Sequence, residues 1–242
     1  MLKIAMPLDM DEHDSFSRSV TAHRLADGRG CAQLLAHDLD APAMLLERLG
    51  PSLADLDFTV GEILEAVTAT LRSFWRPVTA DNGLRTGDEQ ARWLARYITD
   101  TWAELDSPCE RAVIDAAVQF CEQRAAAFDP QRSVLVHGDA HGWNTLAAGP
   151  GAYKFVDLEG LCSEPEHDLA VPMREYNEPL LEGDTARLVD DRASFLAERC
   201  NADPRVVWEW GFIERVSTGL ANLREFDDDS GAEFLEVAER CL

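Results

Sequence analysis

Residues 134–160, VLVHGDAHGWNTLAAGPGAYKFVDLEG, are the stretch that decides the fold of this chain. Two short apolar runs, residues 134–136 and 153–156, have the length and composition of β-strands. The segment between them is rich in His, Asp, Asn and Gly, and two further acids follow the second run. Because catalytic groups commonly lie on loops held by rigid elements, we predict the functional centre here.

The spacing of the polar residues in this stretch is typical of phosphoryl transfer. Asp139 precedes Asn144 by five residues, and Asp157 directly follows the second predicted strand. The protein-kinase pattern H-R-D-x-x-x-x-N, followed by a metal-binding Asp, has the same offset. Such a reaction needs a carboxylate to orient the attacking hydroxyl and accept its proton, and hard oxygen ligands for Mg²⁺. Asp139 is the candidate base, Asn144 and Asp157 are the candidate Mg²⁺ ligands, and Glu159 is a further candidate at the metal.

Several motifs of the chain resemble those of the aminoglycoside phosphotransferase family of kinase-like enzymes. Residues 137–144 (HGDAHGWN) and 155–159 (FVDLE) carry most of the resemblance. Residues 27–30, 45–49 and 164–169 are similar to the branch that phosphorylates streptomycin-type aminoglycosides and hydroxyurea. The resemblance covers nearly the whole chain. It implies an α+β, protein-kinase-like bilobal fold and an ATP- or GTP-dependent, Mg²⁺-dependent transfer of phosphate to a hydroxyl of a small molecule.

The resemblance also implies roles for individual residues. Lys3, on the first predicted strand, would contact the nucleotide phosphates. Glu47 and Leu49 occupy the family's hinge, whose backbone binds the nucleotide base. His137 corresponds to the histidine that braces the catalytic loop, and His141 either does the same or approaches the phosphoryl group.

The chain departs from the family pattern in its first part. No residues before Lys3 supply the two strands and Gly-rich loop of a kinase fold, so we expect a truncated N-terminal β lobe over residues 1–49. A large, mainly helical lobe would follow over residues 50–242. The helix glutamate that normally pairs with the strand lysine falls on Ser19, and Glu12, two turns earlier, is a candidate replacement.

Periodicity and capping signals predict the remaining elements. Capping boxes at residues 59–62 and 107–110 and the pair Asp203-Pro204 mark three helix starts. The stripes of apolar and aromatic residues on these helices are predicted core, and residues 227–229 a turn. The predicted strands are 2–6, 31–38 and 43–48, and the predicted helices are 14–26, 59–75, 89–105, 108–127, 166–176, 185–200, 204–226 and 231–242.

The composition limits the class of partner. The chain has 45 acidic and 22 basic residues and a formal charge of −23. This charge disfavours binding to nucleic acid or to an anionic membrane. It favours a cationic small-molecule substrate, although a high charge also simply keeps a protein in solution. The oligomeric state is left open.

Cysteine usage and hydropathy predict a cytoplasmic protein. The six cysteines show neither a Cys-x-x-Cys pair nor zinc-ligand spacing, and a chain of 242 residues does not depend on disulfides. Acids follow the first few residues at once, so the chain shows no signal-peptide pattern. It also contains no run of about 18 apolar residues, the length of a membrane span.

Two other functions fit part of the pattern. His137, Asp139 and His141 could be ligands of a metal-dependent hydrolase. Such enzymes generally gather ligands from many strand ends, whereas this sequence is mainly helical, and Asn144 and Lys3 would have no role. Alternatively, the chain could be a nucleotide- or ligand-binding module that keeps the fold without efficient turnover.

Two interpretations concern residues near the motif. Trp143, between the motif positions, is predicted to pack rather than to bind a ligand. Four acids after the second strand could receive ammonium groups of a substrate or anchor a helix N-terminus: Glu164, Glu166, Asp168 and Glu175.

Overall fold

The computed structural model describes residues 1–4, 10–226 and 230–242, and side chains are described from residue 15 onward and at residues 1–4. The helices are α1 (Met10–Ala26), α2 (Val60–Phe74), α3 (Gly87–Glu104), α4 (Arg111–Ala127), α5 (Pro165–Arg174), α6 (Asn177–Leu181), α7 (Thr185–Cys200), α8 (Pro204–Glu225) and α9 (Ser230–Arg240). The strands are β1 (Leu2–Ile4), β2 (Leu34–Asp38), β3 (Ala43–Leu46), β4 (Arg85–Thr86), β5 (Val134–Val136), β6 (Thr145–Gly149), β7 (Ala152–Phe155) and β8 (Leu161–Ser163).

The chain divides into two compact units. Met1–Thr86 and Asp129–Asp168 form one, here called the mixed unit, which holds all the strands described. Gly87–Phe128 and Leu169–Leu242 form the other, the helical unit. The division into lobes at residue 50 stays a prediction.

The first sheet of the mixed unit is antiparallel, in the order β1-β3-β2. Leu2 pairs with Leu45 and Lys3 with Met44, so successive residues face opposite sides. One side buries Met44 and Leu46 against Phe16 and Val20 of α1. Burying each such side chain contributes about 2 kcal/mol, which holds α1 to the sheet.

Two smaller sheets contain the strands of residues 134–160. β8 lies between β4 and β5, and β6 forms a hairpin with β7. The two strands predicted from residues 134–160 are confirmed as β5 and β7. β4, β6 and β8 were not predicted, because their sequences, RT, TLAAG and LCS, lack the run of apolar, β-branched residues that marks β5.

The helical unit has its own apolar core. The predicted stripes on α3, α4 and α8 supply most of it, which confirms their assignment as core. Trp210 is the largest fully buried side chain in the described part of the protein. The core includes Leu94, Ile98, Val113, Ile114, Ala117, Ile213, Val216 and Leu220.

One capping box is confirmed and the other is wrong. At the start of α2, Thr59 Oγ1 accepts from Glu62 N–H, and Glu62 Oε2 accepts from Thr59 N–H. α4 instead begins after Glu110, without a side-chain cap. Ser107 cannot be the N-cap, because its φ of 64° is left-handed whereas N-caps are extended.

Other boundaries shift by a few residues. α1 starts at Met10 rather than at residue 14, α3 starts at Gly87 inside the predicted loop, and α5 ends at Arg174. The short helix α6 was not predicted. The predicted turn at residues 227–229 and the end of the first predicted strand lie outside the described residues. No helix in the described ranges is long and apolar enough to cross a bilayer.

Candidate active site

Residues 137–144, here called the catalytic loop after their predicted role, bring three predicted site residues together. His141 Nε2 lies 3.0 Å from Asp139 Oδ2, and Asn144 Nδ2 donates to the same oxygen at 3.0 Å. The Asn144 amide also donates to the Asp139 carbonyl at 3.0 Å. His141 Nδ1 accepts from Asn144 N–H, so Nε2 carries the proton that is donated to Asp139. The carboxylate is therefore held at one oxygen by two donors, and its side chain stays 30% exposed.

His137, the first residue of the catalytic loop, is buried and holds the loop through hydrogen bonds. Its Nδ1 accepts from Asp139 N–H at 3.0 Å, which requires the proton on Nε2, and Nε2 donates to the Val156 carbonyl at 2.9 Å. The ring packs edge-on against Phe155 and near Phe74. Burial lowers the pKa of His137, so the ring is neutral and works as a fixed hydrogen-bonding spacer rather than as a proton carrier.

Asp168, in the first turn of α5, holds the start of the catalytic loop through hydrogen bonds. Its carboxylate accepts from the backbone N–H groups of His137 and Gly138, at 3.0 and 2.9 Å, and from Trp75 Nε1 at 2.7 Å. The side chain is fully buried. The interpretation of Asp168 as a receiver of substrate ammonium groups is wrong for this reason, and the same holds for buried Glu166.

The residue before Asp157 is hydrogen-bonded to the backbone of Asn144. Val156 N–H donates to the Asn144 carbonyl at 3.0 Å, which places the residue after β7 beside the end of the catalytic loop. Asp157 has a left-handed backbone with φ of 59°. Such a conformation is uncommon for residues other than glycine and is concentrated at functional sites.

Lys3 reaches this site from β1. Its Nζ lies 2.7 Å from Asp157 Oδ1, and both side chains are partly exposed. Glu159 lies next to the loop: its backbone N–H donates to the His137 carbonyl, and a Cβ on Gly138 would come within 3.0 Å of Glu159 Oε2. Gly138, with φ of 92°, allows this close approach.

Glu47 and Leu49, the predicted hinge residues, follow β3 of the first sheet. Glu47 Oε2 accepts from Lys154 Nζ at 2.6 Å and from Gln33 N–H at 3.1 Å. The hydrogen bond from Lys154 lowers the pKa of Glu47. Leu49 is a partly buried neighbour of the β1-β3-β2 core. The sequence analysis did not predict the Lys154–Glu47 pair, although Lys154 is one of only two lysines in the chain.

Two side chains of α1, Ser19 and His23, are buried. Ser19, at the position of the family's helix glutamate, is buried. One turn later, His23 is fully buried with Nδ1 3.2 Å from the Ala32 carbonyl, and burial lowers its pKa to about 4. The side chain of Glu12, the predicted replacement, lies outside the described residues. The Lys3 ammonium pairs with the Asp157 carboxylate.

The donor set fits magnesium better than a transition metal. Asp157 offers a carboxylate, and the two hydrogen bonds donated by the Asn144 Nδ2 leave its amide oxygen for a ligand role. Mg²⁺ commonly uses one or two such oxygens together with substrate phosphates. Among the residues described, no three His, Cys, Asp or Glu side chains are grouped to hold a metal. A hydrolase ligand set of His137, Asp139 and His141 is therefore not assembled.

Comparison with known proteins identifies the family. The family model for aminoglycoside/hydroxyurea antibiotic resistance kinases matches residues 1–229. The chain belongs to this family. Streptomycin 6-kinase of Streptomyces glaucescens is 26% identical over 245 residues, covering 98% of this chain and 74% of that protein. Hydroxyurea phosphotransferase of Kitasatospora aureofaciens is 31% identical over 168 residues, covering 68% of this chain and 48% of that protein. The prediction of a phosphotransferase of this family is confirmed.

Solved structures confirm the fold class. An aminoglycoside phosphotransferase in a ternary complex with ADP and hygromycin B superposes with a TM-score of 0.59 at 16% identity, over 94% of this chain and 83% of that one. Choline kinase from Streptococcus pneumoniae gives 0.57 at 11% identity, over 99% and 84%. At these identities the likeness concerns the fold, which is the predicted kinase-like α+β fold.

Proposed function

We propose that this antibiotic resistance kinase transfers the γ-phosphoryl group of ATP to a hydroxyl of a small, cationic acceptor such as an aminoglycoside. The observation that carries the proposal is the Asp139 carboxylate, held at 3.0 Å by both His141 and Asn144. Asp157, which follows the next strand, and its partner Lys3 supply the charges that a triphosphate requires.

In the proposed reaction the acceptor hydroxyl oxygen attacks the γ-phosphorus. The new P–O bond forms as the bond from the γ-phosphorus to the β,γ-bridging oxygen breaks, and ADP leaves. Asp139 accepts the hydroxyl proton. His141 and Asn144 hold Oδ2, so the carboxylate does not rotate away from the acceptor.

Asn144 and Asp157 would hold Mg²⁺, and Lys3 would contact the nucleotide phosphates. When bound, the metal neutralises negative charge on the phosphate oxygens. His137 and Asp168 serve the reaction indirectly, because they fix the backbone from which Asp139 projects. The hinge at Glu47 and Leu49 would bind the nucleotide base through backbone groups.

Relatives and charge together support the acceptor class. Two relatives are named for kinase activity on streptomycin and phosphotransferase activity on hydroxyurea. Streptomycin is cationic and hydroxyurea is neutral. The charge of −23 favours the cationic compound, because a negative field concentrates cations around the protein.

Transfer of labelled phosphate from ATP to streptomycin, other aminoglycosides and hydroxyurea tests the proposal. Asp139→Ala should lower kcat by about 10²–10⁴ while the melting temperature stays close to that of the wild type. Asp100→Asn, at an exposed position of α3, is the control and should keep full activity.

Unchanged turnover in Asp139→Ala would exclude Asp139 as the base. ATP binding by the wild type without transfer to any acceptor would instead favour a binding module without turnover.

A further inference from the structure

Trp143 differs from every other tryptophan of the chain in its exposure. Of the six, it exposes the largest fraction of its surface, 62%, and Trp93 follows with 37%. The prediction that Trp143 packs into the protein is therefore wrong. Within the described residues its indole makes no stacking or cation–π contact, whereas Trp93 stacks on Tyr97.

The backbone that carries Trp143 is firmly held. Trp143 is the middle residue of a 3₁₀ turn, Gly142–Asn144. Asn144 N–H donates to the His141 carbonyl at 3.1 Å, and Thr145 Oγ1 donates to the same oxygen at 2.9 Å. The indole therefore projects from a fixed turn, directly beside the proposed metal ligand Asn144 and four residues after Asp139.

An exposed indole at this position can still be buried by a ligand, and its burial would stabilise the complex. A tryptophan side chain buries about 150–250 Å² when covered, which makes it one of the strongest contributors to binding. Its exposure means that the ring contributes little to folding. A fixed turn also means that a ligand placed on the ring costs little conformational entropy.

The surrounding charges select the kind of ligand. The Asp139 carboxylate lies on the same loop, four residues before Trp143, and the chain carries a formal charge of −23. A cation is attracted both to such carboxylates and to the face of an indole, the best aromatic partner for cations. A neutral acceptor gains neither interaction.

We infer that Trp143 is a specificity-determining residue, whose indole face binds the guanidinium or ammonium group of a cationic acceptor while a hydroxyl of that acceptor lies at Asp139. The inference rests on the proposed function and adds a choice between acceptors to it. Trp143 favours cationic over neutral acceptors, and it takes no part in nucleotide binding or in proton transfer.

Three variants of Trp143 test this inference against a matched control. Trp143→Ala removes the ring, Trp143→Phe keeps an aromatic face, and Trp143→Leu keeps apolar bulk without one. Trp93→Ala, at the other exposed tryptophan, is the control. The measurements are kcat and KM for streptomycin, hydroxyurea and ATP, together with calorimetric binding of streptomycin to each protein in the presence of a non-hydrolysable ATP analogue.

Trp143→Ala should raise the KM and Kd for streptomycin about 5- to 30-fold. Its kcat, its KM for ATP and its KM for hydroxyurea should stay within about twofold of wild type. Trp143→Phe should keep most of the streptomycin affinity, Trp143→Leu should resemble Trp143→Ala, and Trp93→Ala should behave as wild type.

The two proposals fail in distinguishable ways. Wild-type turnover combined with an unchanged streptomycin KM in Trp143→Ala overturns the role of Trp143 and leaves the phosphotransferase intact. An equal loss for hydroxyurea, or full retention in Trp143→Leu, also overturns the cation-binding role. If no acceptor is phosphorylated, the proposed function fails, and calorimetry still decides: equal Kd values for wild type and Trp143→Ala refute the inference.

Discussion

At the scale of single residues, the site depends on buried groups that never touch a substrate. Asp168 accepts three hydrogen bonds, from two backbone amides of the catalytic loop and from the indole of Trp75. Each hydrogen bond to a charged group contributes about 1.5–3 kcal/mol, so this carboxylate fixes the loop strongly. The motif HGDAHGWN predicted which residues gather around Asp139, because these contacts are local. It could not predict Asp168, whose partner His137 lies 31 residues earlier.

His23 makes stability depend on pH. The unfolded chain binds a proton on this histidine near pH 6.5, whereas burial lowers the pKa in the folded protein to about 4. Between these pH values the unfolded state binds more protons than the folded state. The contribution of His23 to the free energy of unfolding is therefore fully present above about pH 6.5 and is lost as the pH falls towards 4. The pKa difference corresponds to about 3 kcal/mol. We expect urea unfolding between pH 4 and 7.5 to show that the free energy of unfolding falls less towards low pH in His23→Gln than in the wild type.

The matched control is His37→Gln, at an exposed position of β2. It should keep the wild-type pH dependence. Some decline should remain in His23→Gln, since burial also lowers the pKa of His137. Identical pH profiles for wild type and His23→Gln would contradict the assignment.

At the scale of elements, helices with a cap in their own sequence could be predicted. Strands that form only by pairing with distant segments could not. α2 and α8 follow the predicted bounds closely, because their caps Thr59 and Asp203 lie in the adjoining sequence. β4 and β8 pair with each other, and β8 also pairs with β5; neither has an apolar run like that of β5 from which it could be predicted. The false cap at residues 107–110 has the right residue types, but left-handed backbone at Asp106 and Ser107 prevents capping.

Gly160 shows how one element limits another. It follows the segment of Asp157 and Glu159, and a Cβ there would lie 2.6 Å from the Ala22 Cβ and 3.1 Å from the Arg18 carbonyl of α1. Gly151 has nearly the same φ, 69° against 73°, but a Cβ would meet nothing within 4 Å. Gly160→Ala should therefore destabilise by about 2–4 kcal/mol and Gly151→Ala by about 1 kcal/mol.

Chemical unfolding of the two glycine variants and the wild type measures this difference. The backbone strain is the same in both variants, so the excess loss in Gly160→Ala isolates the packing of α1 against this segment. Equal losses would show that α1 moves away without cost.

At the scale of the whole molecule, we expect the net charge to affect the encounter with a cationic substrate. The formal charge of −23 creates a field that salt screens, with a Debye length of about 10 Å at 0.1 M. Raising NaCl from about 0.02 to 0.3 M should lower kcat/KM for streptomycin by about tenfold. Hydroxyurea, which carries no charge, is the control and should change little. Equal salt dependence for both acceptors would contradict steering by the protein's charge.

At the proposed magnesium site, the ion pair between Lys3 and Asp157 would make metal uptake an exchange of counter-ions. With an ammonium 2.7 Å away, the carboxylate is compensated before any divalent ion arrives. An incoming ion would have to displace the Lys3 ammonium from Asp157, so we expect magnesium without nucleotide to bind weakly. A polyphosphate offers the displaced ammonium a new anion, and loading of metal and nucleotide then becomes mutually dependent.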